Sequence, residues 1–335
     1  MSMKCLITGV NGQDGSYLAE LMLEKGYEVH GMVRHQSREN LCNIEHIKND
    51  IIIRKGDLTD ETSIKRLVQD KFDEIYNLGA MSFVKESFNI PAATFKINAQ
   101  AVIIFLDAIK SLSPYTKFYQ ASTSEMFGGL KSDKYNENSA FYPRSPYGVA
   151  KLAAHWSVIN YRESYDLMAC SGILFNHESQ RRPKIFVTSK ITEWAKRLST
   201  GDNTPLEIGN MEARRDWSHA KDMVEGMWRI LNQREIRKDN KPMQDYVLSS
   251  NRTTSVREFI ESAIKLAGKK FTWVKGDKPE DEVGMIEDKP MIKVNPAYYR
   301  PTEVYTLLGD SRKARSELGW SPMYDLDALI NEMMA

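Results

Sequence analysis

Strand-like and helical segments alternate over about the first 175 residues, and this rhythm limits the fold more than any other property of the chain. "KCLITG" is a short, β-branched apolar run that stops at Gly9. In "SYLAELMLEKG" Leu18, Leu21 and Met22 share one helical face, with Gly26 placed to cap its end. "YEVHGMV", "IIIRKGDL", "FDEIYNLGA", "TKFYQAS" and "LMACSGILF" read as further strands. "DETSIKRLVQD", a long segment from about Ala92 to Ser111, and "SPYGVAKLAAHWSVINYRESY" read as helices. The last has Ser145 at its cap and Pro146 at its first position. The alternation predicts an α/β fold, a doubly wound parallel sheet with helices on both faces. Sites in such sheets lie beyond the carboxyl ends of the strands.

After Asn176 the rhythm breaks into shorter helices and loops. A smaller, mixed α/β substrate-binding lobe is expected over 176–335, with residues from about 215 to 250 returning to the first domain, 1–175. The 335 residues are 41% apolar with a net charge of +1, a balance that carries neither a nucleic-acid footprint nor an acidic tail. The sequence enters its first strand without room for a signal peptide, and no apolar run approaches the roughly 18 residues of a membrane span. Cys5, Cys42 and Cys170 lack C-x-x-C spacing and fall in or near apolar segments. They are expected to be reduced packing residues in a cytoplasmic protein without a metal site.

Gly9, Gly12 and Gly15 form G-x-x-G-x-x-G between the first strand and first helix. Glycines there permit a tight turn and let a pyrophosphate approach the helix N-terminus, whose free N–H groups and dipole favour anions. Strand before and helix after make this a Rossmann-type dinucleotide site. NAD-binding folds usually carry an acid near the end of the second strand. Here "GMVRHQSR" offers Arg34 and no acid before Glu39, which suits the 2′-phosphate of NADP. Asp57 in "KGDL" is placed either to accept a hydrogen bond from adenine or to cap the next helix.

Tyr147 and Lys151 form Y-x-x-x-K, and residues four apart share a helix face. Tyr147 lies in the first turn after Ser145 and Pro146, so the helix dipole and the ammonium are both expected to favour the phenolate. With Thr123 after the intervening strand, the set points to hydride transfer at a Thr–Tyr–Lys site. Tyr147 removes a hydroxyl proton, Thr123 bonds the reacting oxygen, and Lys151 holds the nicotinamide ribose. Glu125, in "YQASTSEMFG", is a carboxylate where the strand opens onto a loop.

These residues resemble the extended short-chain dehydrogenase/reductase family. Within it "LITGVNGQDGSYLAELMLEKGYEVHGMVR", "YNLGAMS", "FYQASTSEMFG", "FYPRSPYGVAKLAAHW", "GILFNHES", "RRDWSHAKDMVEGMW" and "YYRPTEV" are similar to the GDP-mannose 4,6-dehydratase group. The resemblance spans essentially the whole chain. It implies GDP-mannose as substrate, NADP as cofactor, Glu125 as the acid/base at sugar C5, and a homo-dimer or homo-tetramer. It implies further cofactor contacts from Asn11, Gln13, Asp14, Ser37, Leu58, Leu78, Gly79, Ala80, Ser82, His177 and Arg182. For the nucleotide sugar it implies Ser82, Asn176, Glu178, Val187, Lys190, Arg215, Arg300 and Glu303. Phe83 departs from the group, standing where many members carry His; so do Gln180 and Pro183 around the paired arginines, and His35. A sugar 4-epimerase and a non-catalytic NADP-binding protein are the alternatives, with NADPH-dependent 4-keto reduction to GDP-D-rhamnose as a side activity.

Overall fold

A computed structural model of the protein describes residues 2–34, 40–130, 132–299 and 301–335. The chain opens with β1 (Lys4–Thr8), α1 (Gln13–Glu24), β2 (Glu28–Val33), β3 (Ile52–Lys55) and α2 (Glu61–Gln69). It continues through β4 (Glu74–Asn77), α3 (Val84–Ser87), α4 (Pro91–Phe95), α5 (Ala101–Leu112), β5 (Lys117–Thr123), α6 (Pro146–Tyr165) and β6 (Ala169–Leu174). Next come β7 (Asn176–Glu178), α7 (Val187–Ser199), β8 (Leu206–Ile208), β9 (Arg214–Arg215), β10 (Trp217–His219), α8 (Ala220–Leu231), α9 (Gln233–Arg237) and β11 (Tyr246–Leu248). The remainder holds β12 (Thr254–Ser255), α10 (Val256–Leu266), β13 (Phe271–Val274), β14 (Val283–Ile286), β15 (Lys289–Val294), α11 (Arg312–Leu318) and α12 (Leu326–Met334).

Seven strands form one sheet in the order β11-β6-β5-β4-β1-β2-β3, every neighbouring pair parallel. The order reverses between β1 and β4, which opens a crevice at the carboxyl ends of those strands. Thr8 Oγ1 donates to Asn77 Oδ1 at 2.8 Å and accepts from the Gly79 N–H at 2.9 Å, so one hydroxyl ties the two strand ends at the switch point. One face of the sheet is covered through Leu18, Met22, Met223, Met227 and Trp320, the other through Leu67, Phe105, Phe118 and Val158. Strand β11, far along the chain, pairs with β6. A separate core around Trp194, Phe259, Ile260, Ile292 and Leu329 joins α7, α10 and α12 to the β13-β14-β15-β8 sheet.

Local chemistry accounts for the ends that matter. Ser145 takes extended angles and its Oγ accepts the Gly148 N–H at 3.0 Å, with Pro146 following, so α6 starts where its cap is. Gly26, at φ +81°, ends α1.

Two expectations need correction. The expectation that no apolar run approaches the length of a membrane span does not hold, since the helical run Pro91–Leu112 is long and apolar enough to cross one by length and composition. Half of its apolar window is buried inside the fold, Ala101, Val102, Phe105 and Leu106 among the buried residues, which explains the composition. Cys42 is exposed, unlike buried Cys5 and Cys170, because it opens a short 3₁₀ turn that buries only Ile44.

The same long run is not uniform. Residues Lys96–Gln100 form a π-helical segment between α4 and α5. Its buried Asn98 accepts the Met81 N–H and donates to the Met81 carbonyl, both at 2.9 Å, and so fixes the loop after β4. π-bulges of this kind recur at functional sites.

Candidate active site

A cavity of about 1310 Å³ lies at the carboxyl ends of the central strands. Ligand pockets for one small molecule run to about 1,000 Å³, so this one has room for a dinucleotide and a second ligand together.

Its floor at one end is the glycine turn. Gly9 has φ +68°, and a Cβ built on Gly15 would stand 2.2 Å from the Gly9 carbonyl oxygen, so no side chain fits there. Gly12 caps α1 without a side-chain hydrogen bond, leaving the first N–H groups of a 12-residue helix facing the cavity lined by Asn11, Gly12, Gln13, Asp14 and Gly15. Leu58, Leu78, Gly79, Ala80 and Ser82 line the adjoining wall. These features fit the pyrophosphate of a dinucleotide: a close backbone approach and uncapped donors.

Arg34 lines the cavity at the exposed end of β2. Burial works against the charge of Asp57, but the Thr59 N–H and hydroxyl bonds and the Arg34 charge win and hold its carboxyl below the usual range. Asp57 Oδ1 accepts Thr59 N at 2.7 Å and Thr59 Oγ1 at 2.8 Å, whereas Asp60 caps α2 through the Thr62 N–H. Of its two sequence readings, the helix cap is therefore wrong: Asp57 closes the turn before α2 and faces the cavity.

At the other end Thr123 closes β5, and Glu125 follows in a single 3₁₀ turn, both side chains nearly buried. Thr123 Oγ1 accepts the Glu125 N–H at 3.3 Å, and its hydroxyl favours the phenolate of Tyr147. Lys151 is buried, donates to the Ala121 carbonyl at 2.9 Å, and lies 5.9 Å from the Tyr147 ring centroid. Burial lowers the Lys151 ammonium to about 8. For Tyr147 the structure overturns the expected depression: burial pushes the phenol up to about 12, outweighing the Thr123 hydrogen bond and the Arg182 charge, while Glu125 and Asp14 oppose the phenolate.

The far wall comes from residues that follow β6. His177 Nδ1 is 2.7 Å from the Phe175 carbonyl and Nε2 is 2.8 Å from Asp14 Oδ2. Two acceptors on two ring nitrogens select the imidazolium, and burial notwithstanding, the Asp14 charge raises His177. Glu178 is buried, accepts the Thr188 hydroxyl at 2.6 Å and pairs with Arg182 at 3.0 Å. Arg215 lies 3.9 Å from Glu303, and Lys190 stands 4.0 Å over the Tyr298 ring. Asn176, Val187 and these residues all line the cavity. Ser37 and Arg300 fall outside the described residues.

Phe83, Lys85, Phe186 and Tyr298 also line the cavity and were not selected by sequence reasoning as site residues. Phe83 stands out in the sequence only as a departure from the family. The others lie in segments without a spacing rule, and only the fold brings them to one wall.

The sequence profile of the GDP-mannose 4,6 dehydratase family matches residues 6–333. GDP-mannose 4,6 dehydratase 2 of Caenorhabditis elegans is 46% identical over 343 residues, covering 98% of this chain and 87% of the relative. GDP-mannose 4,6-dehydratase of Vibrio cholerae is 45% identical over 358 residues, covering 100% and 93%. Among solved structures, dTDP-glucose 4,6-dehydratase from Bacillus anthracis in complex with NAD superposes with a TM-score of 0.80 at 20% identity, covering 99% of this chain and 96% of that one. At that identity the likeness speaks for the fold alone.

Proposed function

The chain belongs to the GDP-mannose 4,6-dehydratase family, and we propose that it converts GDP-α-D-mannose to GDP-4-dehydro-6-deoxy-α-D-mannose and water with NADP as cofactor. The observation that carries this reading is the convergence of Thr123, Glu125, Tyr147 and Lys151 on one cavity beside the glycine turn. An epimerase has no need of the carboxylate, and a binding module has no need of all four.

When bound, the nicotinamide supplies the electron sink that takes hydride from sugar C4 and returns it to C6. Tyr147 takes the C4 hydroxyl proton, with Thr123 bonding the same oxygen. Lys151 adds positive charge near the phenol and bonds the ribose. The ketone at C4 makes the C5 proton acidic, because the carbanion there is an enolate. Glu125 removes that proton and hands a proton to the C6 hydroxyl, which leaves as water. Glu125 then regains a proton from solvent, balancing the one that Tyr147 took from the C4 hydroxyl and releases, and delivers it to C5 as C6 is reduced. The glycine turn with Asn11, Gln13 and Asp14 takes the pyrophosphate, and Leu58, Leu78, Gly79, Ala80 and Ser82 flank the dinucleotide. Arg215, Lys190 and Arg300 meet the diphosphate of the sugar nucleotide, arginine through bidentate charge-assisted bonds. Asn176, Glu178, Val187 and Glu303 shape the rest of that pocket.

Arg34 supports NADP over NAD, its guanidinium suiting a 2′-phosphate; Ser37 joins it in the proposal. Residues 1–175 form the cofactor domain in this account, and 176–335 mainly the sugar-nucleotide lobe, with about 215–250 returning to the sheet. A cytoplasmic location, with reduced cysteines, and NADPH-dependent reduction to GDP-D-rhamnose as a side activity belong to the same reading. The test is the product: protein, GDP-mannose and catalytic NADP should yield a C6 methyl resonance and a C4 keto hydrate. Intact mannose, or galacto- or talo-configured sugar, would overturn it.

A further inference from the structure

Phe83 and Phe186 occupy the N-cap positions of α3 and α7, one in the sheet domain and one in the smaller lobe. Their rings meet edge to face, centroids 5.8 Å apart at 82°. On the Phe186 ring lies the Arg182 guanidinium, 3.7 Å above it. Two residues beyond Phe83, Lys85 Nζ donates to the Ala297 carbonyl at 2.7 Å, so the same turn grips the smaller lobe at a second point. Phe83, Phe186, Arg182 and Tyr147 all line the one cavity.

Arg182 has a carboxylate nearby, with Glu178 3.0 Å from its Nε. Yet that buried Nε–H has no hydrogen bond, because the alignment fails. The ion pair therefore supplies attraction without direction, and the ring stack is what orients the guanidinium. Orientation matters because of what surrounds the phenol. Glu125 and Asp14 disfavour the phenolate, while the Thr123 hydroxyl and the Arg182 charge favour it, with Lys151 5.9 Å from the ring centroid.

We propose that Phe83 is a positioning residue: through Phe186 it holds the Arg182 guanidinium in the cavity that Tyr147 shares, and so tunes the base of the reaction. Phe83 itself touches no reacting atom in this account. The activity arm rests on the dehydratase reading; the positional arm does not.

The experiment reads the two arms separately in the full chain. The Arg182 Nε–H resonance, assigned with Arg182→Lys, should carry an upfield ring-current shift in the parent protein. Phe83→Ala and Phe83→Leu should lose that shift, the second while keeping apolar volume, and Phe83→Tyr should retain it. In turnover of GDP-mannose, the acidic limb of kcat/KM should move to higher pH, its ionisation constant falling about threefold, for Phe83→Ala and Phe83→Leu, and return with Phe83→Tyr. An Arg182 resonance unmoved in Phe83→Leu overturns the proposal, as does a lost shift with an unaltered pH profile. A parent protein without turnover would count against the dehydratase reading, and the resonance alone would then decide for or against the positional role.

Discussion

Tyr147 stands between opposing influences, and its surroundings explain why a set of residues rather than one is needed. Burial favours the neutral phenol strongly enough to carry it to about 12, against an ordinary value of 10. A hydroxyl from Thr123 and a guanidinium from Arg182 counter it, and Lys151, on the next helical turn, lies 5.9 Å from the ring centroid. Lys151 is itself held down to about 8 by burial, which leaves it mostly charged at neutral pH. In the proposed mechanism Glu125 has a separate task at C5, and the separation is measurable. Glu125→Gln is expected to slow loss of water by about a hundredfold or more, with reduction of NADP slowed less than about tenfold. Rapid mixing should then show reduced cofactor accumulating before any product; equal loss of both steps would contradict the role. Sequence spacing brought out Thr123, Glu125, Tyr147 and Lys151, since a strand end and a capped helix are local features. The sign of the Tyr147 shift was not legible, because the i,i+4 rule carries no information about burial.

At the scale of elements, the glycine turn is held by the segment that follows β6. Asp14 in the first turn of α1 pairs with His177 of β7, Gln13 Nε2 donates to the His177 carbonyl at 3.2 Å, and Gln13 Oε1 accepts the Ser179 hydroxyl at 2.9 Å. Arg181 continues the seam, bonding Ser16 Oγ at 3.0 Å and Glu20 at 2.5 Å. His177 is raised above 6.5, so its stabilising contribution is complete below that value and is lost as pH climbs through the raised one. Asp14 is lowered from 3.8, so its contribution is complete above that value and is lost as pH falls through the lowered one. The pair is thus intact between those two limits. Thermal unfolding of the cofactor-free protein between about pH 6 and 9 should show an alkaline decline that His177→Gln flattens; an equal decline in both proteins would contradict it. The elements themselves were largely legible: Ser145-Pro146 and Gly26 mark helix ends by their own chemistry. The π segment was not, since Lys96–Gln100 satisfies the same periodicity as ordinary helix and is distinguished only by the Asn98 bonds to Met81.

In the whole molecule, α6 packs beside the 91–112 helical run, and both leave apolar side chains in solvent. Val149 and Trp156, seven residues apart on α6, are 48% and 54% exposed, and Phe95 and Ile103 are 43% and 40% exposed on the neighbour. An apolar face of this kind fits the dimer or tetramer that the family resemblance implies. Light scattering should give a dimer or tetramer, and Trp156→Glu should shift it towards monomer; a parent protein that is monomeric at micromolar concentration would contradict this. The doubly wound sheet was visible in the strand–helix alternation, as each period names its element. What the alternation could not show was the wall from the smaller lobe, where Phe186, Tyr298 and Arg182 come from irregular segments and meet only through long-range packing. The central claim is that one hydride leaves C4 and returns to C6 of the same sugar. GDP-mannose deuterated at C4, turned over with unlabelled NADP and followed by NMR and mass spectrometry, tests it most directly. The account predicts loss of water with the deuterium at C6. Deuterium retained at C4 of an intact hexose, or lost to the cofactor pool without a C6 methyl, would contradict it.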